Sequence, residues 1–95
     1  MKPITYSVVK TGLIGLNRCI ATYWAHREVQ CNAICPGGVL NNQPEDFLLC
    51  IIQLIPMWRM ANPDELKGAI IFLASDTSSY INGAVIVVDS GRTVW

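Results

Sequence analysis

An α/β fold with the order helix–strand–helix–helix–strand is predicted for this chain by three features of its 95 residues. Val9, Leu13, Leu16, Ile20 and Tyr23 or Trp24 recur at the 3.6-residue spacing of an amphipathic helix. Pro36-Gly37-Gly38 closes a short apolar stretch abruptly, as proline cannot continue a strand ladder and glycine admits unusual turns. Val85-Ile86-Val87-Val88 is a β-branched run of the kind found in parallel-sheet strands covered on both faces.

The elements follow in chain order. Residues 5–26 read as a helix, in which Gly12 and Gly15 cost propensity but permit close approach of a neighbour or ligand. Residues 29–35 read as a strand and 39–43 as a loop. Pro44-Glu45-Asp46 opens a second helix, with proline in a favoured first-turn position and acids facing the positive end of the helix dipole. Phe47, Leu48, Cys50, Ile51, Leu54 and Ile55 give that helix an apolar surface, and Pro56 is expected to stop it. Asn62-Pro63-Asp64-Glu65 is the clearest start signal: Asn62 caps, Pro63 sits first, and Glu65 can reach back as in a capping box. Leu66, Ala69, Ile70 and Leu73 form the expected buried stripe of this third helix, which ends in the polar residues 76–79. Asn82-Gly83 then turns the chain into the last strand. Strands alternating with helices define the α/β class.

Composition narrows the function. The length allows a single domain. Charged residues make up 15% of the chain, against about 25% in typical domains, so the chain either buries both faces of its sheet or expects a partner surface. Net charge is zero and no basic run exists, which argues against nucleic acid. Apolar runs are far too short to span a membrane, and Lys2-Pro3 opens no secretory leader. Cys19, Cys31, Cys35 and Cys50 raise the question of a metal. Four residues of strand separate Cys31 from Cys35 by roughly 13 Å, too far for two ligands of one ion. Ordinary thiols of a cytoplasmic protein, with no metal, are the expectation.

Tyr6 and Lys10 are the candidate chemistry. Residues at i and i+4 share a helix face, and an ammonium close to a phenol favours its ionised form. That makes an acid/base device near neutral pH. The same spacing also suits an amphipathic pair with its polar ends in solvent. His26 follows the helix end beside Arg27 and Glu28 and reads as a solvated position near the helix dipole. Trp24, Trp58 and Trp95 read as packing residues.

Four stretches together resemble the C-terminal part of a short-chain dehydrogenase/reductase. Tyr6 and Lys10 match the family's Tyr-x-x-x-Lys. Asn32-Ala33-Ile34-Cys35-Pro36-Gly37 matches the strand that runs into a Pro-Gly turn. Phe72-Leu73-Ala74-Ser75-Asp76 with Ser79-Tyr80-Ile81-Asn82-Gly83 matches the late helix and its turn. Val87-Val88-Asp89-Ser90-Gly91 matches the last strand, with Ser90 in place of a usual glycine. The resemblance implies a partial Rossmann-like fold, the C-terminal fragment of a doubly wound parallel sheet, with residues 1–95 one truncated domain. It implies hydride transfer between NAD or NADP and an alcohol or carbonyl carbon. Tyr6 would be the general acid/base; Lys10 would lower its pKa and hold the nicotinamide ribose. Pro36, Gly37, Gly38 and Val39 would line the nicotinamide pocket, partly through backbone groups. Asn41 would stand in for a threonine the family often places after this turn.

Other parts of the family pattern have no counterpart here: the glycine-rich phosphate loop, the residue that chooses NAD over NADP, and the serine upstream of the tyrosine. The expectation is therefore a fragment that is inactive alone and binds no dinucleotide by itself. The alternatives are a non-catalytic homo-oligomeric module, and a half-enzyme completed in trans by an N-terminal half. Residues 36–44 and 91–95 resemble a bacterial subgroup linked to flagellin or sialic-acid-type sugar modification. Substrate contacts are expected from residues 40–60, where Phe47, Leu48, Met57, Trp58 and Met60 are apolar. A greasy pocket and an oligomer contact would look alike.

Overall fold

The computed structural model describes residues 3–94. Helix α1 spans Ile4–Tyr23 and is followed by a single 3-10 turn, Ala25–Arg27. Strand β1 is Ala33–Pro36, helix α2 is Glu45–Ile52, helix α3 is Lys67–Ala74 and strand β2 is Val85–Val88. Short 3-10 turns precede α3 at Pro63–Leu66, follow it at Asp76–Ser78, and close the chain at Arg92–Val94. The two strands pair in parallel, Ala33 opposite Val85 through Pro36 opposite Val88, giving the expected α/β order. No described helix is long and apolar enough to cross a membrane.

Asparagine side chains set this register. Asn32 accepts from the Ala84 N–H at 2.9 Å and donates to the Ile81 carbonyl at 3.1 Å. Asn82 accepts from the Cys31 N–H at 3.0 Å and donates to the Ala21 carbonyl at 2.7 Å. The two amides thus tie the entrance of β1 to the entrance of β2, and both to α1. Gln30 adds donations to the carbonyls of Ser78 and Ile81, each at 2.7 Å.

This clamp explains the first correction. The strand expected over 29–35 begins only at Ala33. Cys31 spends its N–H on Asn82 and its carbonyl on the Gly83 N–H, so residues ahead of Ala33 bond to a loop instead of extending a ladder. The helix expected over 5–26 stops at Tyr23, because the chain tightens into a 3-10 turn and Glu28 takes a left-handed φ of 61°. The second helix ends at Ile52, ahead of Pro56. Leu54 and Ile55 donate to Ile51 and Ile52, three residues back, which tightens the chain out of the α-helix.

A second correction concerns α3: the stripe of Leu66, Ala69, Ile70 and Leu73 has no buried member, and Ile70 is 54% exposed. In α1 the apolar stripe is open as well: Val9, Leu13 and Leu16 are 61%, 49% and 51% exposed. The buried residues of α1 are Asn17 and Ala21. Asn17 donates to the Ala84 carbonyl at 3.3 Å, and a Cβ on Gly83 would lie 3.4 Å from the Ala21 Cβ. Small and polar groups let the helix seat on the β2 entrance, and the apolar stripe points elsewhere. Trp58, read as a packing residue, is 66% exposed with a left-handed φ of 59°. Trp24 meets Tyr23 edge to face at 4.6 Å; Trp95 lies outside the described residues.

The core is correspondingly small. Among the described residues, the buried apolar side chains are Ala21, Ile55 and Met60. The accessible surface is 7439 Å², where a compact monomer of this mass exposes roughly 5,400 Å². The radius of gyration is 15.7 Å, against roughly 13 Å for a compact domain of about 100 residues. The excess of about 2,000 Å² is the size of a substantial interface.

The start signal expected for the third helix caps the 3-10 turn Pro63–Leu66 instead, and α3 itself begins only at Lys67. Asn62 has extended backbone angles, and its N–H donates to Glu65 Oε1 at 3.0 Å, one arm of a capping box. Arg59 closes on the same carboxylate in a two-pronged pair, its second prong at 2.8 Å. The Arg59 guanidinium, and then the Asn62 N–H, hold the Glu65 carboxyl down to about 2. An unfolded glutamate titrates near ~4.3. The depressed value therefore stabilises the fold above that pH, and the contribution disappears as pH falls toward 2. Urea midpoints of the chain should drop as pH is lowered across this window. Glu65→Gln should flatten the drop without abolishing it, because the Asp89 carboxyl also sits below its ordinary value. An unchanged slope in Glu65→Gln would remove Glu65 from the acid sensitivity.

Candidate active site

Tyr6 lies in the first turn of α1, whose start is set by Pro3. Pro3 adopts φ −59° and ψ 150°, and its carbonyl accepts from the Tyr6 N–H at 3.1 Å. One turn later, the Lys10 ammonium stands 5.5 Å from the centroid of the Tyr6 ring, a cation–π approach. The i,i+4 spacing therefore does bring charge to phenol. Tyr6 is 44% exposed, so the pair faces an open space rather than a core.

That space is two adjoining clefts. Tyr6, Cys35 and Pro36 line both. Lys10 and Thr11 belong to one, with Ala33 and Ile34 of β1 forming its floor. Gly37 and Gly38 belong to the other, of about 640 Å³, with Phe47, Ile51 and Ile55 as its apolar wall. The structure thus places Tyr6 and Pro36 where the two clefts adjoin, with Lys10 in one and Gly37 and Gly38 in the other. It leaves Val39 and Asn41 outside. Val39 forms a parallel bridge with Ala61, and its carbonyl accepts from Gln43 Nε2 at 2.9 Å. The Asn41 N–H is held by Gln43 Oε1 at 2.7 Å.

The glycine turn is pinned by the fold itself. Gly37 donates to the Val88 carbonyl at 2.9 Å, and the Gly38 carbonyl accepts from Ala61 at 2.9 Å. These groups are spent on packing and are not on offer to a ligand. A Cβ on Gly37 would fall 2.8 Å from the Asp89 Cβ and 2.9 Å from its Cα. One on Gly38 would meet only the end of the Met60 side chain, at 2.8 Å. Glycine at 37 is demanded by the β2 exit.

Three residues given no role by the sequence share the cleft: Asp89, Arg92 and Thr93. Asp89 Oδ2 accepts from the Thr93 hydroxyl at 2.7 Å and its N–H at 3.1 Å, and Oδ1 accepts from the Gly91 N–H at 3.0 Å. The Thr93 hydroxyl above all holds this carboxyl below the usual range, with the Gly91 and Thr93 N–H groups adding to it. The signal was present in the spacing of Asp89, Gly91 and Thr93, a self-capping turn. Ser90 within it takes φ 62°, which accounts for the glycine usual at this point, and its hydroxyl accepts from the Met57 N–H at 3.2 Å. Among the described residues, no group of three or more metal-ligating side chains comes together.

With the site in place, comparison with known proteins settles the family. The chain belongs to the short-chain dehydrogenase/reductase family; residues 2–93 match the family described as enoyl-(acyl carrier protein) reductase. It is 38% identical to galactitol 2-dehydrogenase (L-tagatose-forming) of Cereibacter sphaeroides, over 96% of this chain and 38% of that protein. It is 37% identical to 2-dehydro-3-deoxy-D-gluconate 5-dehydrogenase of Escherichia coli K12, over 92% of this chain and 37% of that one. A short-chain dehydrogenase of Leptospira borgpetersenii, solved with bound NAD+, superimposes with a TM-score of 0.92 at 36% identity, covering 98% of this chain and 37% of the other. The fold is therefore Rossmann-like, and the chain spans less than two-fifths of the length of these relatives.

The two glycines of the turn should separate in stability. Gly37→Ala should cost roughly 1–3 kcal/mol, the usual range for overpacking against atoms that cannot move aside. Gly38→Ala should cost under about 1 kcal/mol, since Met60 is flexible at its end. Denaturant unfolding of the two variants measures the difference, and equal losses would contradict the role given to the Asp89 backbone.

Proposed function

We propose that this chain supplies the acid/base and nicotinamide-facing part of an NAD(P)-dependent oxidoreductase acting on an alcohol or carbonyl carbon. The observation that carries this reading is that Tyr6 and Pro36 line two adjoining clefts, one holding Lys10 and the other Gly37 and Gly38. The residues suit a nicotinamide nucleotide: a cation for ribose hydroxyls, an apolar floor for a flat ring, and a phenol at the edge. Lys10 would hold the ribose, and Pro36, Gly37 and Gly38 would back the nicotinamide, while Val39 and Asn41 are engaged with Ala61 and Gln43 outside the cleft. When bound, that cofactor takes or returns the hydride. Tyr6 exchanges the proton with the substrate oxygen, and Lys10 stands over its ring at 5.5 Å from the centroid.

These 95 residues contain no glycine-rich phosphate loop. Turnover accordingly requires the N-terminal part of the fold, in the same polypeptide or in trans, and the chain by itself is inactive. The substrate class is a polyol or sugar derivative, a choice supported by the names of the similar dehydrogenases from C. sphaeroides and E. coli. The narrower assignment to flagellin or sialic-acid-type modification draws no support from those names. The cytoplasmic placement stays part of the proposal, on the sequence grounds above.

A second reading is a homo-oligomeric assembly module. The exposed apolar stripe of α1 and the uncovered excess surface favour it. Light scattering of the purified chain separates the two: a defined dimer indifferent to added NAD(H) supports the module.

The first reading is tested in a chimera whose last two-fifths is this chain and whose first part comes from the galactitol dehydrogenase. NADH formation with polyols should be measurable, and Tyr6→Phe should slow it by about 10²–10⁴-fold. A folded chimera in which Tyr6→Phe keeps its rate would overturn the assignment.

A further inference from the structure

We propose that Arg92 anchors a carboxylate of the substrate, so that the cleft beside Tyr6 takes a sugar acid in preference to a neutral polyol. This rests on the reading of that cleft as the substrate site. Among the described residues that line the Tyr6–Gly38 cleft, Arg92 is the sole cation. Its Nη1 is buried and has no hydrogen-bond partner. A guanidinium nitrogen withdrawn from water without an acceptor is a costly arrangement, and a ligand oxygen would relieve it.

The neighbouring acid does not fill that role. Asp89 lines the same cleft, but both of its carboxylate oxygens are committed to Gly91 and Thr93. Its charge stays beside the opening, which disfavours a doubly charged phosphate and tolerates a singly charged carboxylate more easily. The planar fork of arginine matches a carboxylate through two parallel hydrogen bonds. Phe47, Ile51 and Ile55, which line the same cleft, suit the carbon face of an extended chain. Tyr6 and Arg92 then divide the work within one cleft: the phenol at the reacting hydroxyl, the guanidinium at the acid end.

The test compares D-gluconate with D-glucitol, which differ in the carboxylate, and with inorganic phosphate. Binding to the full 95-residue chain is followed through the amide NMR shifts of Gly37, Gly38 and Thr93. Gluconate should bind at least about tenfold more tightly than glucitol, a difference of about 1.4 kcal/mol. Arg92→Gln should reduce gluconate to the glucitol level and Arg92→Lys should keep part of the preference. Dispersed β1 and β2 amides report that each variant remains folded. Equal binding of both sugars, unchanged in Arg92→Gln, would overturn the anchor while leaving the cleft as a substrate site. Phosphate binding tighter than gluconate would overturn the choice of carboxylate. No response of these amides to either sugar would overturn the anchor and the substrate cleft together.

Discussion

Asn32 and Asn82 reach across the same gap in opposite directions, and each closes it with one donated and one accepted hydrogen bond. Every bond ends on a main-chain group, so the contacts fix backbone positions rather than side-chain neighbours. The parallel pair of β1 and β2 starts where these amides hold it, in the register Ala33 to Val85. Four residues on, the pair ends where Gly37 donates to Val88 and lies flat against the Asp89 backbone. Between clamp and glycine there is little freedom. The Pro36–Gly38 turn must emerge beside the start of α1, because Asn82 and Asn17 also bind that helix to the β2 entrance.

The position of Tyr6 follows from that geometry. A helix seated by Ala21 near its C-terminal end carries its N-terminal end across the mouth of β1. Tyr6 then faces Cys35 and Pro36, and Lys10 sits one turn deeper. The site is built by polar groups and close backbone contacts, since few apolar side chains are buried. The apolar stripe of α1 and the far edge of β1 are left for other surfaces to cover. Alternation along β1 sends Ala33 and Gly37 toward β2 and therefore aims the Ile34 N–H at that far edge. Any domain that combines a small core with an open strand edge invites pairing.

What the sequence revealed was what is local. The Tyr6–Lys10 spacing, the Pro36–Gly38 stop and the Asn62–Glu65 cap each depend on residues within one turn of each other, and all appear in the structure. The β-branched run at 85–88 was equally plain. The short length of β1 was hidden, because the partners of Cys31 and Asn32 lie about fifty positions away in the chain. The stripe expected to be buried in α3 was misjudged for a related reason: apolar spacing reports which face seeks burial, and among the described residues Ile70 stays half exposed. Arg92 carried no motif at all. Its Nη1 is buried without a partner, a property of the folded chain that no local sequence pattern displays. Ser90 lies between these cases, since replacement of a usual glycine marked the point where φ turns positive.

Hydrogen exchange at single amides tests the central claim, that a clamped parallel pair carries the site while its far edge waits to be covered. In the isolated chain the Ala33 and Gly37 amides should exchange slowly and the Ile34 amide fast. Addition of the N-terminal part of a related dehydrogenase should slow Ile34 and leave the other two as they were. Fast exchange at Ala33 and Gly37, or protection of Ile34 in the isolated chain, would contradict the account.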